Sequence, residues 1–569
     1  MKRLAMLAGV SVLAGCDGPR IPTTAEILPP DTMIVSDRPV RFRVEVRDQN
    51  GELIENPVDG VWSASGPLEV SPDGVVTGTG YGDGTVTYLI EAVTDEAAVR
   101  VNPLLRLSAE VAYINQAIQN PDTPVPLVPG RDGVLRLFVT VNRRHYYEDA
   151  PEIMVEVGVG SAAPEWDTIV SQEARGLLRA VNEGDLRMSY NVLIDRRLVR
   201  SDMYLDITYD PHDEIDGIEG TETLRPEVLD LPEFELMIVP TISSRHPKPG
   251  IEDWVTGLDI WDEKLWPVRT FLPVTPTHRS VTIHETYHTN LNLTTYNGWT
   301  RWLNHMGVMR RMENERDYYL GLQHYAGGGL LGVAYLGRPQ ATSTTTHNGV
   351  TTSHELGHSM SLPHAPCRVV GPPFPYPDAR IGQWGLDIEK MELIDPDIHR
   401  DHMSYCFDDP WTSDFFFEKA MRYRRQAQLV ERPVPVLMIW GDITNRRFEP
   451  AFAFNAIPDP HEPGGKYLIR GLDHMGDEIF SFRFTPAEIS HIPGHEAFNL
   501  AIPYSPERDG LLSEVHLTGS GVHMILARES MPATIIERYP NGRVRSIREL
   551  REGERPAPGS PVSSGLPGS

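Results

Sequence analysis

The stretch His354-Glu355-Leu356-Gly357-His358, followed by His364, gathers three imidazoles and one carboxylate within a short run of chain. On a helix, His354 and His358 stand one turn apart on one face, a spacing that lets both bind a single zinc ion. Glu355 is adjacent but points off that axis, where it can take a proton from an activated water without ligating the metal. His364 supplies a third nitrogen if the helix stops and the chain turns back. Pro363 supports that stop, because it cannot extend a helix and disfavours α geometry at Leu362. The Thr-Thr-Ser run at 351–353 is expected to cap the start of this helix.

The same pattern occurs earlier, as His284-Glu285-Thr286-Tyr287-His288, and a rival ligand set of His284, His288 and Glu313 resembles that of the gluzincins. The local sequence opposes it, because SVTIHETYHTNLNLTT is rich in Thr, Val and Ile, which suit a strand better than a helix. On a strand the two histidines share a face but lie roughly 13 Å apart, too far for one ion. This segment is therefore expected to be a strand or loop at the start of the catalytic region.

HELGHSMSLPH resembles the metzincin consensus HExxHxxGxxH, with all three histidines and the glutamate in register. Ser361 stands at the consensus glycine, which usually adopts a left-handed turn, so serine there should cost about 1 kcal/mol. Asp401-His402-Met403-Ser404-Tyr405-Cys406 is similar to the methionine turn of that family, with Met403 under the metal and Tyr405, two residues on, matching a tyrosine that ligates zinc or stabilises the tetrahedral intermediate. The wider region, 233–430, resembles the StcE-type secreted mucin-cleaving metzincins and their bacterial relatives. This resemblance implies Zn2+ as cofactor, peptide-bond hydrolysis, and a protein or glycoprotein substrate.

The N-terminus has two basic residues, a short apolar run and Leu-Ala-Gly-Cys, which reads as a secretory signal too short to span a bilayer. Its end resembles the bacterial lipobox, implying cleavage after residue 15, a lipid on Cys16 and membrane attachment through that lipid. The other two cysteines, Cys367 and Cys406, then remain in an exported protein where disulfides persist, and a Cys367–Cys406 bridge is expected. The bridge would tie the third-histidine loop to the methionine turn. With 52 basic and 79 acidic residues the net charge is −27, which opposes nucleic-acid binding.

The 569 residues exceed what one core organises, so several domains are expected to position these groups. Residues 1–16 form the signal with its lipobox. Over 21–103, alternating Val40, Phe42, Val44 and Val46, the turns Asn50-Gly51 and Asp73-Gly74, and Trp62 indicate an Ig-like β-sandwich. A second sandwich is expected over 104–232. An α+β metzincin-like zinc peptidase domain follows over 233–430, with a core stripe of Trp299, Trp302, Leu303 and Met306 and a helix capped by Ser413. A C-terminal β-domain spans 431–540, and 551–569, rich in Pro, Gly and Ser, is expected to be disordered. The expectation is an envelope-anchored zinc endopeptidase, periplasmic or surface-exposed. The alternatives are a catalytically inert surface-binding lipoprotein that works through its sandwiches, and the gluzincin-type site.

Overall fold

The computed structural model describes residues 19–57, 59–174, 176–313, 318–369, 371–406, 409–426 and 432–567. The signal segment and Cys16 lie outside the described residues.

Alternation builds the first two units as expected. In the first, a four-stranded sheet (Thr32–Val35, Val93–Asn102, Gly82–Ile90, Val61–Ser65) and a three-stranded sheet (Val40–Arg41, Val75–Gly78, Leu68–Val70) bury Val86, Val99 and Val76 in one core. Gly51 and Gly74 take positive φ at the two turns, a backbone that glycine adopts without a Cβ penalty. The second unit faces a three-stranded sheet (Ala109–Asn115, Gly133–Val139, Tyr190–Ile194) against a four-stranded one (Trp166–Val170, Ile153–Val159, Met203–Tyr209, Thr221–Leu224). Its 116–131 loops also brace the next domain. There, Arg131 donates to the carbonyls of Leu272 and Thr270, each at 2.8 Å, and Trp411 Nε1 donates to Ala117 O at 2.9 Å.

The third unit is a mixed sheet. Its order runs Gly332–Ala334, Gln340–Thr344, Tyr318–Gln323, Leu236–Ser243, Tyr287–Thr289, Val544–Glu549, Thr534–Arg538 and Val562–Ser563, with Val281–Ile283 also beside Leu236–Ser243. The strands from 340 through 318 and 236 to 281 and 287 are parallel, and the edge strand Gly332–Ala334 is antiparallel to its neighbour. Period-two alternation then feeds two cores. Met237, Val239 and Tyr319 pack with Trp299, Trp302 and Met306 of the helix Tyr296–Met312. Leu236, Ile238 and Leu320 pack with Leu356 and Met360 on the opposite face. Thr295 caps the first helix by accepting from Gly298 N at 3.2 Å, and Ser413 Oγ accepts from Phe416 N at 3.2 Å at the head of Asp414–Gln426.

Two expectations about the C-terminus need correction. The β-domain from 434 onward is present, with Leu437, Ile439, Ile469 and Leu517 in its core. Thr534–Arg538 and Val544–Glu549, however, leave it and extend the sheet of the third unit, so the boundary near 540 falls inside a hairpin that belongs elsewhere. The 551–569 tail is not a structureless extension either. Val562–Ser563 pairs with Thr534–Arg538, Gly565 O accepts from Ala451 N at 2.8 Å, and Leu566 is buried in the β-domain core. The composition rightly indicates that the tail cannot build a core, but it joins one that already exists. Among the described residues, no helix is long and apolar enough to cross a membrane.

Candidate metal centre

The helix Val350–Ser359 carries the second histidine pattern, and its ends differ in how they are made. Its N-cap is Gly349 at φ 89°, without a side-chain cap, which corrects the expected Thr or Ser cap. A 3-10 turn at Thr346–Gly349 leads into it, and the hydroxyls that were expected to cap are engaged elsewhere: Thr352 Oγ1 with Ser343 Oγ, and Ser353 Oγ with Pro267 O. At the other end Leu362 N donates to Gly357 O at 3.0 Å and Ser361 N to His358 O at 2.8 Å, the paired bonds of a Schellman termination. Ser361 sits at φ 67°, the left-handed position read from the sequence. Ser361→Gly should therefore raise stability by about 1 kcal/mol in urea unfolding, and an unchanged or lower midpoint would contradict that reading.

This termination turns the chain back and brings His364 to the helix. His358 Nε2 lies 3.1 Å from His354 Nε2 and 3.2 Å from His364 Nε2. The Nδ1 atoms of His354 and His358 face the carbonyls of His402 and Leu362, each at 2.7 Å. Donation from Nδ1 leaves both Nε2 atoms as bare lone pairs pointing at each other, an arrangement that repels unless a cation lies between them. Nitrogens about 2.1 Å from a tetrahedral ion are about 3.4 Å apart, so the donor set fits zinc in type and spacing.

Glu355 is buried beside them, and Gly332 of the edge strand makes room for it. A Cβ on Gly332 would meet Glu355 Cγ and Oε1 at 2.5 Å. Beneath the helix, Met403 is fully buried, and a Cβ on Gly357 would meet its sulfur at 2.5 Å. Asp401 shapes that turn by accepting from Met403 N and Ser413 N, each at 2.8 Å. Cys367 and Cys406 are bridged, with Cα atoms 5.8 Å apart, and Ala365 N donates to Met403 O at 3.0 Å. Third-histidine loop and methionine turn are thus tied as expected.

One residue of the site escaped the sequence reading. His491, from the C-terminal β-domain, joins His354, His358 and His364 in a cluster whose ligand atoms all lie within 4.8 Å of one another. Its Nδ1 is hydrogen-bonded to Tyr405 OH, and the two rings stack at 7° with centroids 5.4 Å apart. Its Nε2 lies 2.9 Å from Glu355 Oε1, yet has no hydrogen-bond partner. The preceding Ser490 Oγ reaches Glu355 Oε2 at 3.2 Å. No spacing rule connects Ser-His-Ile-Pro-Gly at 490–494 to a motif so far upstream.

The first histidine pattern is a strut. Val281–Ile283 and Tyr287–Thr289 are strands interrupted at 284–286. His284 Nε2 lies 3.1 Å from Glu313 Oε1, and Glu313 also accepts from Tyr319 OH at 2.6 Å and Val544 N at 2.8 Å. His288 sits beside Ile242 and Ser546 in the sheet. None of the three belongs to the imidazole cluster.

No protein-family model matches the chain, and no curated protein matches it. Solved structures resemble parts of it at low similarity. The S-layer protein rSbsC(31-844) is 14% identical over 34% of this chain and 24% of that one, at a TM-score of 0.16. The N-terminal eight Ig domains of Down Syndrome Cell Adhesion Molecule are 12% identical over 38% and 26%, at 0.21. Domains 3–5 of Drosophila OTK are 9% identical over 36% and 62%, at 0.19. The chain spans about a quarter of the first two, and overlaps this slight carry no argument about the site.

Burial governs the electrostatics. It pushes His354 and His364 down to about 3, assisted by the neighbouring imidazoles, and His491 down to about 4. Neutral imidazole is the form that binds metal. It also sets an acid sensitivity for the metal-free chain. The unfolded histidines titrate near 6.5 and the folded ones well below, so the stability is intact above about pH 6.5 and is lost as pH falls toward 3. Each decade in which the unfolded state holds one extra proton costs about 1.4 kcal/mol. Thermal unfolding of chelated protein should fall steeply from pH 6.5 to 4, and a flat profile would show that the histidines are solvated.

Proposed function

We propose that the chain is a zinc-dependent endopeptidase of the metzincin type. It is held in the bacterial envelope by a lipid on Cys16, periplasmic or surface-exposed, and hydrolyses peptide bonds of extracellular proteins, glycoproteins among them. The observation that carries this reading is the convergence of His354, His358 and His364 Nε2 beside a buried Glu355, with two of the Nδ1 atoms held by carbonyls. Zinc bound by these nitrogens would acidify a water and polarise the scissile carbonyl. Burial raises the Glu355 carboxyl in the metal-free chain, and a zinc ion bound beside it would favour the carboxylate, which can accept the proton of the attacking water and deliver it to the leaving amine. Tyr405, kept protonated by burial, can donate to the carbonyl oxygen as it gains charge. Gly332–Ala334 is the last strand on its side of the sheet, and a strand in that position can pair with an extended peptide once the 488–490 segment beside it is displaced.

The test is zinc content in His364→Ala beside His288→Ala. Loss of zinc only in His364→Ala supports the assignment, and loss only in His288→Ala moves the metal to the first pattern. A second reading rests on the fourth imidazole, because a shell of four protein ligands also describes a structural site. Zinc retention with no cleavage by any variant, across substrates that include glycosylated proteins, would favour that inert surface-binding protein.

A further inference from the structure

Glu488–Ile492 packs against the end of the edge strand Gly332–Ala334. Leu336 N donates to Glu488 O at 2.9 Å, Ser490 N donates to Ala334 O at 2.9 Å, and Tyr335 and Ile489 form an antiparallel bridge. Ala334 N also donates to Ser490 Oγ at 2.8 Å. The segment thus forms a single antiparallel bridge at the outer edge of the sheet, just past the strand that flanks Glu355. Its apolar residues hold it down, since Ile489 and Ile492 are both buried in the core around Trp302 and Met306.

Between these anchors His491 takes φ 61°, a left-handed backbone that non-glycine residues hold only when their surroundings enforce it. That backbone aims the ring at the cluster. Its Nδ1 is held by Tyr405 OH, as the Nδ1 atoms of His354 and His358 are held by carbonyls, and its Nε2 is left without a hydrogen bond. Three of the four rings therefore have Nδ1 engaged, and all four offer a ligand atom within 4.8 Å of the others, with His491 Nε2 also 2.9 Å from Glu355 Oε1. A ring placed there also fills the space between Glu355 and Tyr405.

We propose that His491 is a fourth metal ligand, carried on a built-in segment that occupies the substrate's place, so that the chain folds in a closed, latent form. This rests on the zinc reading of the three-histidine site. A metal with four protein nitrogens has no position for the water that hydrolysis needs. Opening requires 488–492 to leave the edge strand, and the two backbone–backbone hydrogen bonds there are of the kind a competing peptide strand can replace.

Cobalt(II) in place of zinc tests this with a readout other than activity. In the wild-type chain, acetohydroxamate should leave the visible spectrum unchanged, because no coordination position is open. In His491→Gly, acetohydroxamate should shift the band, and imidazole added alone should restore the wild-type spectrum. Casein hydrolysis by the zinc form should rise roughly tenfold or more, as expected when a closed state holds most of the population. His491→Asn, which tolerates the same backbone, replaces the glycine variant if the loop loosens. Equal hydroxamate shifts in wild type and variant would overturn the ligand assignment. Slower hydrolysis by the variant would overturn latency and give His491 a part in the reaction. If neither form takes up cobalt or zinc, it is the underlying zinc reading that fails.

Discussion

Glu355→Gln will leave zinc bound and lower proteolysis by roughly a thousandfold, measured in whichever of the wild-type and His491→Gly backgrounds cleaves faster. Glutamine has the same shape and still accepts from Ser490 Oγ, so the packing against Gly332 is preserved. It cannot accept a proton, so both the attack of water and departure of the amine lose their carrier. Stability should move the other way. Burial holds the Glu355 carboxyl near 8, so folding disfavours its charged form, and an uncharged amide removes that penalty at high pH. Above pH 8 the variant, stripped of metal by a chelator, should unfold at the same temperature as the likewise stripped parent or higher. Retained cleavage would remove Glu355 from the role of base, and lost zinc would show that the variant disturbs the ligand geometry.

The local parts of this site were legible because each depends on a few consecutive residues. Helical spacing sets His354 and His358 on one face, and the single left-handed residue at Ser361 follows from how a helix must end for His364 to return. The β-branched residues around His284 correctly indicated strand, although composition could not show that Glu313 and Val544 N would absorb that histidine into a strut. The missing cap failed for a physical reason. Gly349, with its positive φ, turns the chain into the helix without any side chain, which frees Thr352 and Ser353 to bond the neighbouring sheet and Pro267. His491 was beyond reach because nothing in its sequence neighbours points to the imidazole cluster it joins. Its place is set by the packing of Ile489 and Ile492 in a core shared between domains, a relation between surfaces that no spacing within one segment expresses. The closing hairpin at 534–549 was missed in the same way, since its alternation fits either sheet equally well.

Replacing both Cys367 and Cys406 with serine should destabilise the metal-free chain by about 4 kcal/mol, roughly a thousandfold in the unfolding equilibrium. The bridge closes a loop with a sequence separation of 39, and on the chain-entropy account its main effect is to restrict the unfolded ensemble. The native geometry has its own support at this point. Ala365 N donates to Met403 O at 3.0 Å and Tyr405 N to Cys367 O at 3.3 Å, so the His364 loop and the Met403 turn stay paired without the sulfurs. Zinc affinity should therefore change by far less than the unfolding equilibrium, and the loss should shrink in saturating zinc, which binds only the folded state. Urea unfolding with and without chelator, together with a zinc titration, separates the two effects. If affinity falls as far as stability, the bridge positions His364 directly, and the two backbone bonds are too weak to hold the loop. Two free thiols in the native protein, counted by mass after alkylation, would remove the bridge from the account altogether.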